Sequence, residues 1–205
     1  FVVVVQCRYG STRMPGKALY PLASLPMLSF LLRRLKHHLS EQEYTLVLAT
    51  TIHPSDDVIE QWGVEEGWQV VRGDEHDVLQ RYVSCLQEHP ADYCVRVTAD
   101  NPFTCPDLLK QCCQSMIENR LDYIQSVGNP LGAGVDVFSK RILYHMHEHA
   151  HLEGEREHIN KYILDRCPPE YQVQFLHVPA EINHPELRMT VDTMDDYKRM
   201  KAILT

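Results

Sequence analysis

The chain opens on five apolar residues, Phe1-Val2-Val3-Val4-Val5, without polar alternation. A strand solvated on one face alternates apolar and polar residues, so an unbroken run predicts a central strand covered on both faces. That strand, read as Phe1–Cys7, empties into a loop over residues 8–17, Arg-Tyr-Gly-Ser-Thr-Arg-Met-Pro-Gly-Lys. The loop carries Gly10 and Gly16, the hydroxyls of Ser11 and Thr12, and the cations Arg8, Arg13 and Lys17. Glycines let backbone N–H groups turn toward an anion, and cations neutralise it at short range. One positive charge about 4 Å from one negative charge is worth roughly 4 kcal/mol at an effective dielectric of 20. The loop therefore suits a polyphosphate, the plain alternative being a basic surface loop after an edge strand. It is not a P-loop, because no hydroxyl residue follows Lys17.

The rest of the chain supports a layered sheet. Apolar spacing predicts a helix over Met27–Leu39, a buried strand over Tyr44–Thr51, and a helix starting at Pro54-Ser55-Asp56-Asp57 and running to about Glu66. A short strand over Trp68–Arg72, a helix over Asp74–Glu88, a strand over Ala91–Thr98 and a helix over Pro106–Asn119 follow. Alternating strands and helices predict one α/β domain spanning 1–205, with a mostly parallel sheet and helices on both faces. Ligands of such sheets sit beyond the carboxyl ends of the strands. Residues 8–17 and Ala99-Asp100-Asn101-Pro102 occupy two of those ends. The second half is less regular. Strands are expected over Asp122–Val127, Val135–Phe138, Tyr171–Val178 and Leu187–Val191, and helices over Lys140–His151, Glu155–Cys167 and Thr193–Leu204, the last capped by Thr193 or Asp192.

Composition narrows the function classes. A formal net charge of −8 argues against general nucleic-acid binding but leaves room for one local phosphate site. The cysteine count of 7 is odd and no Cys-x-x-Cys occurs, which favours a reduced, cytoplasmic chain over a disulfide framework or a zinc site. No apolar run reaches the ~18 residues of a membrane helix, and no signal peptide is visible. The chain opens inside a strand without Met, so a few preceding residues are expected.

Other residues admit two readings each. Asp100 is either a turn former before Asn101-Pro102 or a carboxylate placed to hold Mg²⁺ against substrate phosphate. Asp192 is first an N-cap and second a metal ligand, while Asp195 and Asp196 need no role beyond the first helical turn. Arg156 and His158 lie either on a solvated helix face or against an anionic substrate. Asp77 and Arg81 are spaced for an i,i+4 ion pair. Among His145, His147, His149 and His151 only i,i+4 pairs could share a metal, and exposed histidines are the favoured reading.

The motifs taken together resemble a known family. "QCRYGSTRMPGKAL" is similar to the opening of the sugar-acid cytidylyltransferases, and "ATTIHPSDD", "VRGDEHDVLQRY", "VRVTADNPF", "GVDVFS", "EREHINKYI" and "LRMTVDTMDDY" follow in order. The nearest branch is the spore-coat polysaccharide cytidylyltransferase-like proteins. The resemblance implies a Rossmann-like GT-A nucleotidyltransferase domain that transfers CMP from CTP to a sugar or sugar acid, with Mg²⁺ and release of pyrophosphate. It implies nucleotide binding by Arg8, Gly10, Ser11, Arg13, Lys17 and Arg81, with Arg13, Lys17 and Asp100 carrying catalysis. It implies a metal on Asp100 and Asp192, which reverses the cap-first reading of Asp192, and makes Arg156 and His158 candidates for the acceptor's carboxylate. No nucleic acid or membrane partner is expected, and a homodimer is allowed. The competing functions are a GT-A glycosyltransferase using a nucleotide-sugar donor, which calls for Asp-x-Asp-like carboxylates, and a non-catalytic nucleotide-binding domain.

Overall fold

The computed structural model describes residues 1–204. β1 (Val2–Gln6) leads through the 8–17 loop to a small hairpin, β2 (Pro21–Leu22) and β3 (Leu25–Pro26), and then to α1 (Met27–His38). β4 (Thr45–Thr51), α2 (Asp57–Glu65), β5 (Gln69–Gly73), α3 (Val78–Glu88), β6 (Tyr93–Thr98) and α4 (Pro106–Glu118) follow in alternation. The second half contains β7 (Tyr123–Val127), β8 (Asp136–Ser139), α5 (Lys140–His149), α6 (Glu153–Glu157), α7 (Lys161–Arg166), β9 (Val173–His177) and α8 (Met194–Ile203).

Seven strands form one sheet in the order β5-β4-β1-β6-β8-β7-β9. β1 lies in its interior and pairs in parallel with β4 and β6, with Val4 opposite both Val47 and Arg96. Only β8 runs against the others, antiparallel to both β6 and β7. The valine run explains this interior place. β-branched side chains are stiff and pack well on a pleated surface, and successive ones point to opposite faces. Val3 and Val5 join Leu28, Leu31, Leu32 and Leu35 of α1 and Leu108, Leu109, Cys112, Cys113 and Met116 of α4 in one core. Val2 and Val4 join Leu79, Tyr82 and Leu86 of α3, Ile142, Leu143 and Met146 of α5 and Tyr162 and Ile163 of α7 in the other. The expected sheet with helices on both faces is therefore present.

Helix starts follow local chemistry. Pro106 opens α4, where its missing N–H costs nothing. Ser139 caps α5 by accepting from the Ile142 N–H at 3.2 Å, and Asp77 caps α3 by accepting from the Gln80 N–H at 2.9 Å. Thr193, not Asp192, caps α8 and shares a capping box with Asp196.

Two expectations for the second half are corrected. The helix expected over Glu155–Cys167 is broken into α6 and α7, because His158 leaves the helical region at φ −105°, ψ 82°. The strand expected over Leu187–Val191 is reduced to one parallel bridge, Leu131 to Arg188. There the chain turns its backbone to other partners: the Val191 N–H donates to the Asp100 carbonyl at 2.8 Å.

Candidate active site

The 8–17 loop lies at the carboxyl end of β1, and its shape is set by its own backbone. The N–H groups of Ser11 and Gly16 both donate to the Tyr9 carbonyl, at 2.9 and 2.8 Å. Gly16 holds φ at 69°, in the left-handed region. A Cβ there would sit 2.9 Å from the Tyr9 ring. The loop is tied to the sheet by Asp56, which is buried and was not singled out from the sequence as a site residue. Its carboxylate accepts from the Tyr9 N–H at 2.7 Å, from the Thr51 N–H at 3.1 Å and from the hydroxyls of Thr50 and Thr51 at 3.1 and 2.6 Å. One charged side chain thus joins the phosphate-loop candidate to the end of β4.

Lys17 closes the loop at the centre of the site. Its Nζ donates to Asp100 Oδ2 at 2.9 Å, to the Val191 carbonyl at 2.8 Å and to Asp192 Oδ1 at 3.2 Å. Lys17 is only 14% exposed, so this triad sits away from bulk solvent. Asp100 is fixed from behind by the Thr98 hydroxyl, which donates to Oδ1 at 2.6 Å. Asp192 is fixed by Arg188, whose Nη2 donates to Oδ2 at 2.7 Å, and approached by Arg13 at 3.4 Å. The three segments expected at the site, loop 8–17, Asp100 and Asp192, therefore meet at one ammonium group.

Delivery of Asp192 depends on a close backbone approach. Gly132, at φ +92°, leaves no room for a Cβ, which would lie 2.8 Å from the Thr190 backbone nitrogen. Leu131 accepts from the Met189 N–H at 2.7 Å, and its own N–H donates to the Leu187 carbonyl at 2.9 Å. Asp196 completes the support, contrary to the reading that gave it no further role. Burial alone would raise its pKa. Hydrogen bonds from Arg188, the Thr193 hydroxyl and the N–H groups of Asp192 and Thr193 outweigh burial and hold its carboxyl well below the usual range. Asp196 also accepts from Arg188 Nε at 2.9 Å, so it orients the arginine that orients Asp192. Nothing in the spacing of Arg188 and Asp196 marked this pair; an arginine six residues before a helix with an acidic first turn was the available signal.

The remaining candidates divide. Arg8 pairs with Glu75 at 3.1 Å across the cleft mouth. Arg81 is buried and donates to the carbonyls of Asp74 and Glu75. Burial lowers its pKa from the ordinary arginine value. The expected Asp77–Arg81 pair is replaced, because Asp77 sits outside the helix as its cap and receives Arg156 Nε at 2.9 Å. Arg156 also donates to the carbonyls of His147 and Ala150 at 3.2 Å, closing the C-terminal turn of α5. Its guanidinium is engaged there, and Arg156 is not among the residues lining the cleft, whereas His158 is. His145 stacks on His149 with ring centroids 4.2 Å apart and meets the Tyr162 hydroxyl at 3.0 Å. Among the described residues no group of three or more His, Cys, Asp or Glu is placed to hold a metal ion.

The cleft encloses about 930 Å³ and is lined by Gly10, Ser11, Arg13, Lys17 and Asp100 on one side and by Glu75, His76 and Arg81 on another. Glu153, Glu157 and His158 line a further wall, and Arg96 and Thr98 lie in the β6 strand that also faces it. Asp100 and Asp192 converge on one cationic position. A hard divalent cation takes one or two carboxylates plus phosphate oxygens and waters, so this donor set fits magnesium.

Sequence and structure comparisons identify the family. The profile of the family described as "Cytidylyltransferase" matches residues 2–204. The chain belongs to the cytidylyltransferase family. Among the relatives of this cytidylyltransferase is the spore coat polysaccharide biosynthesis protein SpsF of Bacillus subtilis, 36% identical over 203 residues, covering 98% of this chain and 84% of that protein. A 3-deoxy-manno-octulosonate cytidylyltransferase of Idiomarina loihiensis is 27% identical over 145 residues, covering 68% of this chain and 54% of that one. The cytidylyltransferase structure from Leptospira borgpetersenii superposes with a TM-score of 0.89 at 29% identity, covering 98% of this chain and 85% of that one. A CMP:2-keto-3-deoxy-manno-octonic acid synthetase complexed with CTP shares the fold, with a TM-score of 0.77 at 18% identity and coverage of 99% and 97%.

Proposed function

We propose that this cytidylyltransferase transfers CMP from CTP to a sugar acid of polysaccharide biosynthesis and releases pyrophosphate. The observation that carries this reading is the meeting of Lys17, Asp100 and Asp192 at one point beyond the carboxyl ends of β1 and β6. Lys17 and Arg13 are cations on the loop that would take the β- and γ-phosphates, and the N–H groups around Gly10 and Ser11 would complete the cradle. An acceptor hydroxyl attacks the α-phosphorus in line and loses its proton to solvent water, the bond from that phosphorus to the α,β-bridging oxygen breaks, and the pyrophosphate leaves with its charge offset by Arg13 and Lys17. Asp100 and Asp192 would hold Mg²⁺, which when bound polarises phosphate oxygens and the attacking hydroxyl. Thr98 and Arg188 keep those two carboxylates in register, so positioning and charge neutralisation supply most of the rate. Arg8 and Arg81 shape the neighbouring wall, where the nucleoside would lie.

The test is pyrophosphate release from CTP with sugar-acid acceptors, with and without Mg²⁺. Release that requires both an acid and the metal supports the reading. Release of a nucleoside diphosphate from a nucleotide-sugar donor would instead assign a glycosyltransferase, and CTP binding without turnover on any acceptor would assign a non-catalytic domain.

A further inference from the structure

Arg96 is a charged residue in the middle of a central strand, and its placement is unusual enough to demand a reason. β6 sends Cys94, Arg96 and Thr98 to one face, the face whose core contains Cys94, Tyr82 and Ile142. Arg96 Nη1 donates to Asp136 Oδ2 at 2.9 Å, and the Tyr123 hydroxyl donates to Asp136 Oδ1 at 2.7 Å. Asp136 is 6% exposed, so the pair is set into the protein. Arg96 Nε is buried and makes no hydrogen bond among the described residues. A guanidinium offers five N–H donors, and leaving buried ones unmatched costs free energy. Arg96 nevertheless lines the cleft, two residues before the Thr98 that holds Asp100. The same cleft is lined by Glu153, Glu157 and His158, all exposed.

We propose that Arg96 selects an acceptor bearing a carboxylate, with His158, Glu153 and Glu157 reading the hydroxyls of the same molecule. The planar fork of arginine matches a carboxylate, and Asp136 with Tyr123 holds that fork in one orientation. The rim carboxylates accept hydrogen bonds from hydroxyls, and their exposure lets solvent screen their repulsion of an acid. The ligand class is thus a polyhydroxy acid, its charge at the floor and its hydroxyls at the rim. This inference rests on the cytidylyl-transfer reading and deepens it. It also moves the carboxylate contact from Arg156, which does not line the cleft, to Arg96, which does.

The experiment is calorimetric titration of the CTP-loaded protein in EDTA with a panel of ulosonic, aldonic and uronic acids, each beside its methyl ester. The expected result is at least one acid that binds tenfold or more tightly than its ester, with that preference lost in Arg96→Gln and reduced in Arg96→Lys. Arg96→Lys keeps a partner for Asp136 and so guards against misfolding. CTP affinity, measured first, should be unchanged in it. A native chain that prefers no acid over its ester, or an Arg96→Lys variant with the full preference, overturns the proposal. Absence of CTP binding to the native chain both in EDTA and with Mg²⁺ would instead count against the cytidylyl-transfer reading itself.

Discussion

Lys17 is the residue on which three parts of the chain converge. Without it, Asp100 and Asp192 face each other with no shared cation, and the triphosphate loses a preorganised donor. Lys17→Ala is expected to lower kcat by 10²–10³-fold, about 2.7–4 kcal/mol of barrier by the measure of a lost oxyanion donor. Steady-state pyrophosphate release checks this, and near-native turnover would remove Lys17 from the chemistry. Asp56 acts differently, since it touches backbone and hydroxyls rather than the cleft. Asp56→Ala leaves the N–H groups of Tyr9 and Thr51 without their acceptor. It should destabilise the fold by about 3 kcal/mol, given roughly 1–3 kcal/mol per unsatisfied buried group. Urea unfolding reads the loss as a lower midpoint at unchanged slope.

At the scale of elements, the loop after β1 works because its left-handed turn at Gly16 folds Lys17 back toward β6. Gly16→Ala forces a Cβ against the Tyr9 ring and a left-handed conformation on an L-residue. The cost is about 1–2 kcal/mol, and the expected result is a raised KM for CTP with a modest loss of stability. Equal KM values would show that the loop tolerates the change. This loop was legible in the sequence because its chemistry is local: glycines, hydroxyls and cations lie within one short stretch after an apolar run. β1 and β4 were legible for a similar reason, since burial on both faces writes largely apolar runs. The supports were not legible. Asp56 reaches the loop 47 residues away in sequence, and Arg156 reaches Asp77 across 79, so neither pairing leaves a periodic trace. β8 was expected as a strand over Val135–Phe138, but its antiparallel direction was not legible. Its Asp136 and the opposed Arg96 read as polar interruptions until the two strands are laid side by side.

For the whole molecule, the acidic supports predict how stability follows pH. Asp196 has its folded pKa depressed below the unfolded value of about 3.9. Its contribution is therefore complete above that value and is lost as pH falls through it. Glu155 behaves alike: hydrogen bonds from Arg166 hold its carboxyl below the ordinary glutamate value. Thermal unfolding should show a Tm that is flat near neutrality and declines below about pH 4.5, with the decline shallower in Asp196→Asn. A Tm independent of pH down to 3 would contradict the assignment. CTP offers the complementary test. At a hundredfold excess over Kd a bound nucleotide adds about 2.7 kcal/mol, or roughly 5–10 °C for a chain of this size. Lys17→Ala should lose much of that shift.

The contact between Lys17 and Asp192 spans 175 positions of sequence. A growing chain on the ribosome can assemble β1, β4 and β6 and shape its loop as those strands emerge, since domains gather their structure from the N-terminal side during synthesis. It cannot set the second carboxylate in place until residue 192 has been added and released. On the proposed role of Asp192, a chain ended between β6 and that point is expected to lack the second carboxylate and to give no turnover.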